Sequence, residues 1–148
     1  PRRWCSPAQD LARKRVVKMT AVTQINPGWA WAKDFHLSLG LRVADTLYIS
    51  GLAAFDADGQ IVGRGDMKAQ AQQTFRNIRE VVELAGGKME DVVKITAFVT
   101  DLSRYADYAE ARREAFPGNP PASATVGISG LLDPDLLIEI ESIAYLKS

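Results

Sequence analysis

Few residues of this 148-residue sequence combine a reactive type with a position that favours chemistry. His36 is the only histidine and Cys5 the only cysteine, so neither a His/Cys zinc site nor a Cys–His nucleophile pair is easily built. An imidazole at His36 could exchange protons near neutral pH, although a lone histidine is more often a surface residue. Glu139 and Glu141 alternate with isoleucines in IEIE, where a carboxylate serves as a general base or as half of an interface ion pair.

Two further groups of polar side chains are candidates for ligand binding. Ser123 and Thr125, in the segment PASATV, can form hydrogen bonds with a neutral ligand. Arg42 and Arg112 can bind an anion, but arginines of this kind are more often solvated or salt-bridged. The two tryptophans of NPGWAWAKDF either wall a pocket or anchor the core.

Composition and charge limit the classes of function. The sequence is 47% hydrophobic and 24% charged, with 18 basic and 18 acidic residues, as in an ordinary globular protein. Residues 1–18 carry a net charge of +5 and are expected to be a vector remnant or an upstream extension, which leaves 19–148 as a single domain with a net charge of −5. Because a lone cysteine allows no internal disulfide and no apolar run is long enough for a membrane helix, we expect a cytoplasmic protein.

Hydrophobic periodicity predicts an alternation of strands and helices. Residues 36–43 alternate, with Leu37, Leu39, Leu41 and Val43 on one side and His36 on the other, which predicts a strand. A helix is predicted from the N-cap Asp66 to the stop at Gly86, and a second helix from Asp101 or Ser103 to the prolines after Phe116, with Leu102, Tyr105, Ala109 and Phe116 as its apolar stripe. The remaining strands are predicted at 46–50, 92–99, 122–129 and 137–145.

The order β-β-α-β-α-β-β predicts an α+β domain with a mixed sheet. Two helices cover only one face of such a sheet. On the last strand the other face carries Leu137, Glu139, Glu141, Ile143 and Tyr145. A face that is half apolar and half polar predicts a subunit interface with a cleft at its edge.

Several segments together resemble the RidA/YjgF family, whose members carry the older labels endoribonuclease L-PSP and translation inhibitor. The family ends on Pro-Ala-Arg-Ser-x-Val and, after a turn, Ile-Glu-Ile-Glu; here PASATV stands at 121–126 and IEIE at 138–141. LYISG at 47–51 resembles a family strand, and DVVKITAFVTDL at 91–102 is very similar to another. The resemblance extends over about residues 37–145.

The resemblance implies a chorismate-mutase-like fold and a homotrimer that binds a small molecule in clefts between subunits. It implies neither a cofactor nor a metal. The family's deaminases add water to an enamine or imine, and the acid that orients or activates this water corresponds to Glu139. The positions that would line the ligand are Leu37, Gly51, Ala109, Ser123 and Thr125, with His36 beside them.

Three of these positions depart from the family's pattern. Ser123 stands where the deaminases have an arginine that clamps the substrate carboxylate with two hydrogen bonds. Leu37 stands near a family tyrosine, and Ala109 replaces an asparagine. Without the clamp, small α-imino acids are expected to be poor substrates, unless Arg42 or Arg112 replaces it.

The sequence thus predicts a hydrolase of C–N bonds, acting on an imine or enamine that lacks the usual carboxylate. A non-catalytic ligand-binding or interaction protein with the same fold is the alternative. Membrane and nucleic-acid partners are not expected, and an RNA-cleaving role is least favoured. Residues 19–148 are acidic and show no stripe of aromatic and basic residues.

Overall fold

A six-stranded mixed sheet forms the body of the molecule. The computed structural model describes residues 21–146, so the charged segment 1–18 and the expected boundary at residue 19 lie outside it. The sheet has the order β1-β2-β3-β6-β4-β5, and only the pair β4–β5 is parallel. The strands are β1 (Val22–Ile25), β2 (Gly40–Val43), β3 (Thr46–Ala53), β4 (Val92–Val99), β5 (Ala122–Gly127) and β6 (Ile138–Tyr145).

Two helices cover one face of this sheet, which confirms the predicted α+β class. They are α1 (Met67–Leu84) and α2 (Tyr105–Ala115), and short 3-10 turns span Ala30–Lys33, Met89–Asp91 and Leu102–Arg104. Helix α1 starts where expected, because the Asp66 side chain accepts a hydrogen bond of 3.0 Å from the backbone N–H of Ala69. It stops before Gly86, whose φ of +88° favours glycine.

The N-terminal part of the sheet differs from the sequence-based expectation. An additional edge strand, β1, precedes the predicted ones and pairs with β2. The strand expected from residue 36 begins only at Gly40, because His36 has a φ of +49° and interrupts the extended backbone. The alternation therefore fails here: Leu39 is buried in the core, whereas the side chain of Leu37 is 43% exposed.

Helix α2 buries a different stripe from the one the sequence predicts. Leu102 and Tyr105 are exposed, whereas Tyr108 is completely buried and stacks on Phe75 of α1. The 3-10 turn Leu102–Arg104 explains the shift, since its tighter winding changes the phase of the residues that follow. Ala109 and Phe116 are buried as expected.

The side chains of β6 alternate between the two faces of the sheet. Ile138, Ile140 and Ala144 point to the helices and are fully buried. Leu137 precedes the strand and packs partly against the core. The other residues expected on the open face lie there: Glu139, Glu141, Ile143 and Tyr145. Neither described helix covers this face, and two of its tyrosines, Tyr48 and Tyr145, are each 51% exposed.

Two buried amides of α1 fix the loops around the carboxyl end of β3 and the start of β6. Gln70 donates to the carbonyl of Asp135 (2.7 Å) and accepts from the N–H of Leu137 (2.8 Å). Asn77 donates to the carbonyls of Ala53 (2.9 Å) and Phe55 (2.8 Å). These hydrogen bonds satisfy buried backbone groups outside the regular ladder and thereby hold both loops against the helix.

Candidate functional site

Glu139 lies beside an irregularity of the central strand pair. The pairing of β3 with β6 shifts register between Ile49 and Leu52, and Glu139 pairs with Ala53 just after the shift. A Cβ added to Gly51 would lie 2.8 Å from the carboxyl carbon of Glu139, closer than real Cβ contacts allow. The missing side chain of Gly51 therefore gives the Glu139 carboxylate its place against the backbone of β3.

The carboxylate of Glu139 borders a small cavity that is mainly apolar. The cavity has a volume of about 280 Å³ and includes Gly51, Ser50 and Ala53 of β3. Its remaining walls are aromatic and aliphatic: Trp31, Phe35, Leu37, Leu39, Phe55, Leu132 and Leu136. A concave apolar site with few polar groups is the usual form of a small-molecule site.

Trp31 is the fixed part of the aromatic wall. Its ring stacks on the buried Trp29 at a centroid distance of 5.5 Å, and its Nε1–H donates to the carbonyl of Asp56 at 3.0 Å. Phe35 meets the ring edge-on at 5.9 Å, and Phe55 meets it at 5.3 Å with its plane tilted by 44°. Of the two roles open to the tryptophans, Trp29 is thus a core anchor, whereas Trp31 both packs on the core and lines the cavity.

The electrostatic surroundings of Glu139 disfavour its charge. Burial raises the pKa of the Glu139 carboxyl above its usual range, and the nearby charge of Glu141 raises it further. Within residues 21–146 neither a hydrogen bond nor an ion pair compensates the carboxylate. A carboxyl group with these properties is a stronger base than an exposed glutamate and retains a proton closer to neutral pH.

The structure brings together only some of the residues that the sequence singles out. Leu37, Gly51 and Glu139 line the same cavity. His36 lies outside this cavity. With Lys33 and Leu37 it lines a neighbouring depression of about 390 Å³. His36 is exposed.

Ser123, Thr125 and Ala109 lie away from Glu139 within one chain. Ser123 pairs with Ile95, and Thr125 with Ala97, both of which are buried on the helix side of β4. Ala109 is buried in α2. Glu139 instead shares the open face with Phe98, its partner on β4. A single site that contains both groups therefore needs residues from two chains.

The two arginines considered as anion ligands have different surroundings. Arg42 is occupied by backbone carbonyls, donating to Ala44 at 2.9 Å and to Ala85 at 3.1 Å. Arg112 donates to the hydroxyls of Ser123 and Tyr105, each at 3.2 Å. Its guanidinium also lies over the Tyr108 ring, 5.2 Å from the centroid. Of the two arginines, only Arg112 places its guanidinium beside Ser123, the position where the deaminases have their arginine.

Most residues of the cavity wall could not be predicted from the sequence. Phe55 follows Gly51 and Ala53 with a spacing of two, which in retrospect places it on the same side of the chain. Phe35, Leu132 and Leu136 lie in loops, where no periodicity signals their direction. Among the described residues, no cluster of three or more potential metal ligands occurs. In the same part of the chain, no helix has the length and apolarity required to cross a bilayer.

The fold and the cavity together define a class: small α+β proteins with one helix-covered sheet face and an acid at the edge of an apolar cavity. Comparison with known proteins supports this fold and identifies the family. The family model described as endoribonuclease L-PSP matches residues 32–146. The chain therefore belongs to the endoribonuclease L-PSP family, which includes the YjgF and RidA proteins.

Solved structures of relatives have the same fold over nearly their whole length. RidA from an Antarctic Psychrobacter is 37% identical, with a TM-score of 0.77, 84% of this chain covered and 99% of the other. A Pseudomonas aeruginosa protein of unknown function is 32% identical, with a TM-score of 0.75 and coverages of 87% and 95%. YyfA of Yersinia pestis, a Rid-family protein of unknown function, is 30% identical, with a TM-score of 0.79 and coverages of 85% and 100%.

Replacing Gly51 should displace the Glu139 carboxylate. In Gly51→Ala the new methyl group would overlap the carboxyl group, so the side chain must turn toward solvent. We expect the pKa of Glu139 to fall toward its ordinary value, because burial is the main cause of its rise. A carboxyl-detected NMR titration measures this shift. Gly118→Ala, where an added Cβ meets nothing within 4 Å, is the matched control, and an unchanged Glu139 pKa in Gly51→Ala would contradict the packing described.

The raised pKa of Glu139 also predicts a pH-dependent stability difference. A folded-state pKa above the unfolded value stabilises the fold at acidic pH, and this contribution is lost as pH rises through the folded-state pKa. Glu139→Gln removes the titration, so the variant should gain stability relative to the parent between about pH 4 and neutral pH. Urea unfolding at several pH values measures the difference, with the exposed Glu83→Gln as the control. A variant that instead becomes relatively less stable at pH 7 would reveal a cationic partner for Glu139.

Proposed function

We propose that the chain is a hydrolase that converts imines or enamines of small molecules to carbonyl compounds and releases ammonia. The observation that carries the proposal is the uncompensated, half-buried Glu139 carboxylate at the edge of an apolar cavity. Such a group can take a proton from the water that attacks a substrate held against the apolar wall. Membership of the family supports this reading.

The reaction is balanced with Glu139 as the only proton carrier. Water adds its oxygen to the carbon of a protonated imine, the π electrons of the C=N bond move to nitrogen, and Glu139 accepts the proton that water loses. Glu139 then returns this proton to the nitrogen of the tetrahedral intermediate. The C–N bond breaks as the hydroxyl oxygen forms the carbonyl and gives its proton to Glu139, which passes it to the departing ammonia, so that R₂C=NH₂⁺ and H₂O become R₂C=O and NH₄⁺.

We also propose that the working unit is a homotrimer assembled through the open sheet face. Half-exposed Tyr48 and Tyr145 on this face are covered by neither helix. A shared site would require the edge strand β5 of one copy, with Ser123 and Thr125, to lie beside the Glu139 cavity of another, because a single chain keeps them apart. The proposed setting is the cytoplasm, with a small molecule as ligand and neither membrane nor nucleic acid as partner. The single cysteine and the acidic residues 19–148 support it.

The alternative is a ligand-binding protein without catalysis. One observation favours it: the cavity offers a binding surface but only one ionisable side chain among its lining residues. Both functions use the same cavity. A variant without the Glu139 base separates them, because only the hydrolase has an ammonia-releasing activity to lose.

Glu139→Gln should remove the activity and leave the fold and the assembly in place. The amide keeps the size of the side chain but cannot accept the proton from water. Since general acid–base catalysis contributes roughly 10²–10⁴-fold, we expect ammonia release to fall at least 10²-fold. A coupled ammonia assay with imines generated in the reaction mixture measures the rate, and size-exclusion chromatography monitors the assembly.

Glu141→Gln is the informative companion variant. It removes the neighbouring charge that raises the Glu139 pKa, so the acidic limb of the rate–pH profile should move to lower pH while activity persists. Full activity of Glu139→Gln would refute the catalytic role, and a weakened trimer with full activity would assign Glu139 to an interface ion pair.

A charge on the open sheet face should disrupt the trimer. Tyr48 is half exposed there, and Tyr48→Glu would bury a carboxylate against an apolar neighbour in the assembly. We expect the wild-type chain to be a trimer and Tyr48→Glu to be mainly monomeric by light scattering at micromolar concentration. Leu84→Glu, at an equally exposed apolar position on α1, is the control and should remain trimeric. A monomeric wild-type chain would contradict the proposed assembly.

A further inference from the structure

The charge distribution of the Glu139 cavity indicates which ligands it favours. Glu139 is its only ionisable lining residue, and no arginine or lysine of the described chain lines it. A second carboxylate placed there would repel Glu139 at short range in a partly desolvated site. A cation with N–H groups would instead give the carboxylate the charge and the hydrogen bonds that it lacks.

The aromatic wall adds a second preference. Trp31 is held by Trp29 and by its hydrogen bond to Asp56, so its position does not depend on a ligand. Phe35 stands nearly perpendicular to it and Phe55 is inclined to it by 44°, so the three rings form a corner of ring faces and edges. Such a corner accommodates an apolar or aromatic group and also attracts a cation to the ring faces.

The size of the cavity limits the ligand. About 280 Å³ lies at the lower end of the volumes of sites for drug-sized molecules. The space suits a single ring or a short branched chain together with the C=N group. Leu132 is 73% exposed and Phe35 44% exposed, so the cavity opens to solvent on the side formed by these loops.

We propose that the substrates are protonated imines derived from small apolar primary amines, with an alkyl or aryl group at the position where an imino acid carries its carboxylate. This inference rests on the proposed function, because it names the substrate class of the same cavity. The iminium nitrogen would contact Glu139, and the apolar substituent would pack on Trp31, Phe35 and Phe55. The rival substrate is an imino acid whose carboxylate is bound by Arg112 from a neighbouring copy.

A matched pair of substrates tests the proposal. A flavin-dependent oxidase acting on 1-phenylethylamine generates acetophenone imine, and a flavin-dependent amino-acid oxidase acting on phenylglycine generates the analogue with a carboxylate in place of the methyl group. We expect the full-length protein to accelerate ammonia release from the first imine at least tenfold more than from the second. Stable probes report binding separately: benzylammonium should bind by calorimetry, benzoate should not, and Glu139→Gln should weaken benzylammonium binding at least tenfold.

A wall variant tests the apolar contact. Phe35→Ala should lower kcat/KM for acetophenone imine several-fold more than for acetone imine, which has no ring. Phe35 is exposed on one side, so this change spares the core. Leu84→Ala, an exposed apolar position on α1 outside the cavity, is the control and should leave both rates unchanged.

The possible failures are distinguishable. Preference for the phenylglycine imine, abolished by Arg112→Leu, would overturn the substrate class and leave the proposed hydrolase intact. Binding of benzylammonium without acceleration of either imine would overturn the hydrolase and retain the cavity's preference for apolar cations. Neither binding nor acceleration would overturn both.

Discussion

The candidate site depends on one constraint: two helices cover one face of a sheet whose central strand alternates strictly. Ile138 and Ile140 of β6 enter the core, so the residues between and after them must point to the open face. Glu139 and Glu141, two residues apart, therefore lie on the same face of the sheet. Their placement follows from the alternation of the strand and needs no specific contact of their own. Burial is the main cause of the raised pKa of Glu139, and the same alternation that builds the core raises this pKa further, because it sets a second carboxylate beside the first.

A local irregularity converts this general placement into a site. Glu139 pairs with Ala53 just after the register shift between Ile49 and Leu52, and Gly51, two residues before Ala53, presents no side chain to the carboxylate. The carboxylate consequently lies against backbone instead of projecting into solvent. The loops on either side then complete the cavity, with Trp31 and Phe35 from one side and Leu132 and Leu136 from the other.

Sequence patterns predict those parts of the molecule in which local periodicity and the buried face agree. The span of α1, its cap at Asp66 and the inward and outward residues of β6 follow from spacing alone. The start of β2 was less predictable, since the alternating pattern begins at His36 although the backbone of His36 is left-handed. Leu37 and Leu39, identical in type and two residues apart, both line the cavity, but Leu37 is largely exposed whereas Leu39 is buried in the core.

The composition of the site was predictable only in part: the sequence indicated Leu37 and, as one of two roles, Trp31, besides the strand residues. Gly51 and Glu139 belong to strands, and the family resemblance locates them together, whereas Phe35 and Leu132 belong to loops whose course depends on tertiary contacts. Arg112 shows the same limit from the other side: its spacing on α2 gives no indication that its guanidinium reaches Ser123 on the edge strand. Periodicity predicts which face of a helix or strand is buried, but contacts between elements can be identified only from the three-dimensional structure.

The amide contacts of α1 affect how such a cavity can diversify. Gln70 and Asn77 hold the loops at Asp135 and at Phe55 through backbone carbonyls, not through the loop side chains. The side chains that face a ligand can therefore be exchanged while the loop backbones keep their anchorage. During evolution, substitutions in the cavity wall can therefore change which ligand is bound, whereas the two amides keep the position and shape of the cavity.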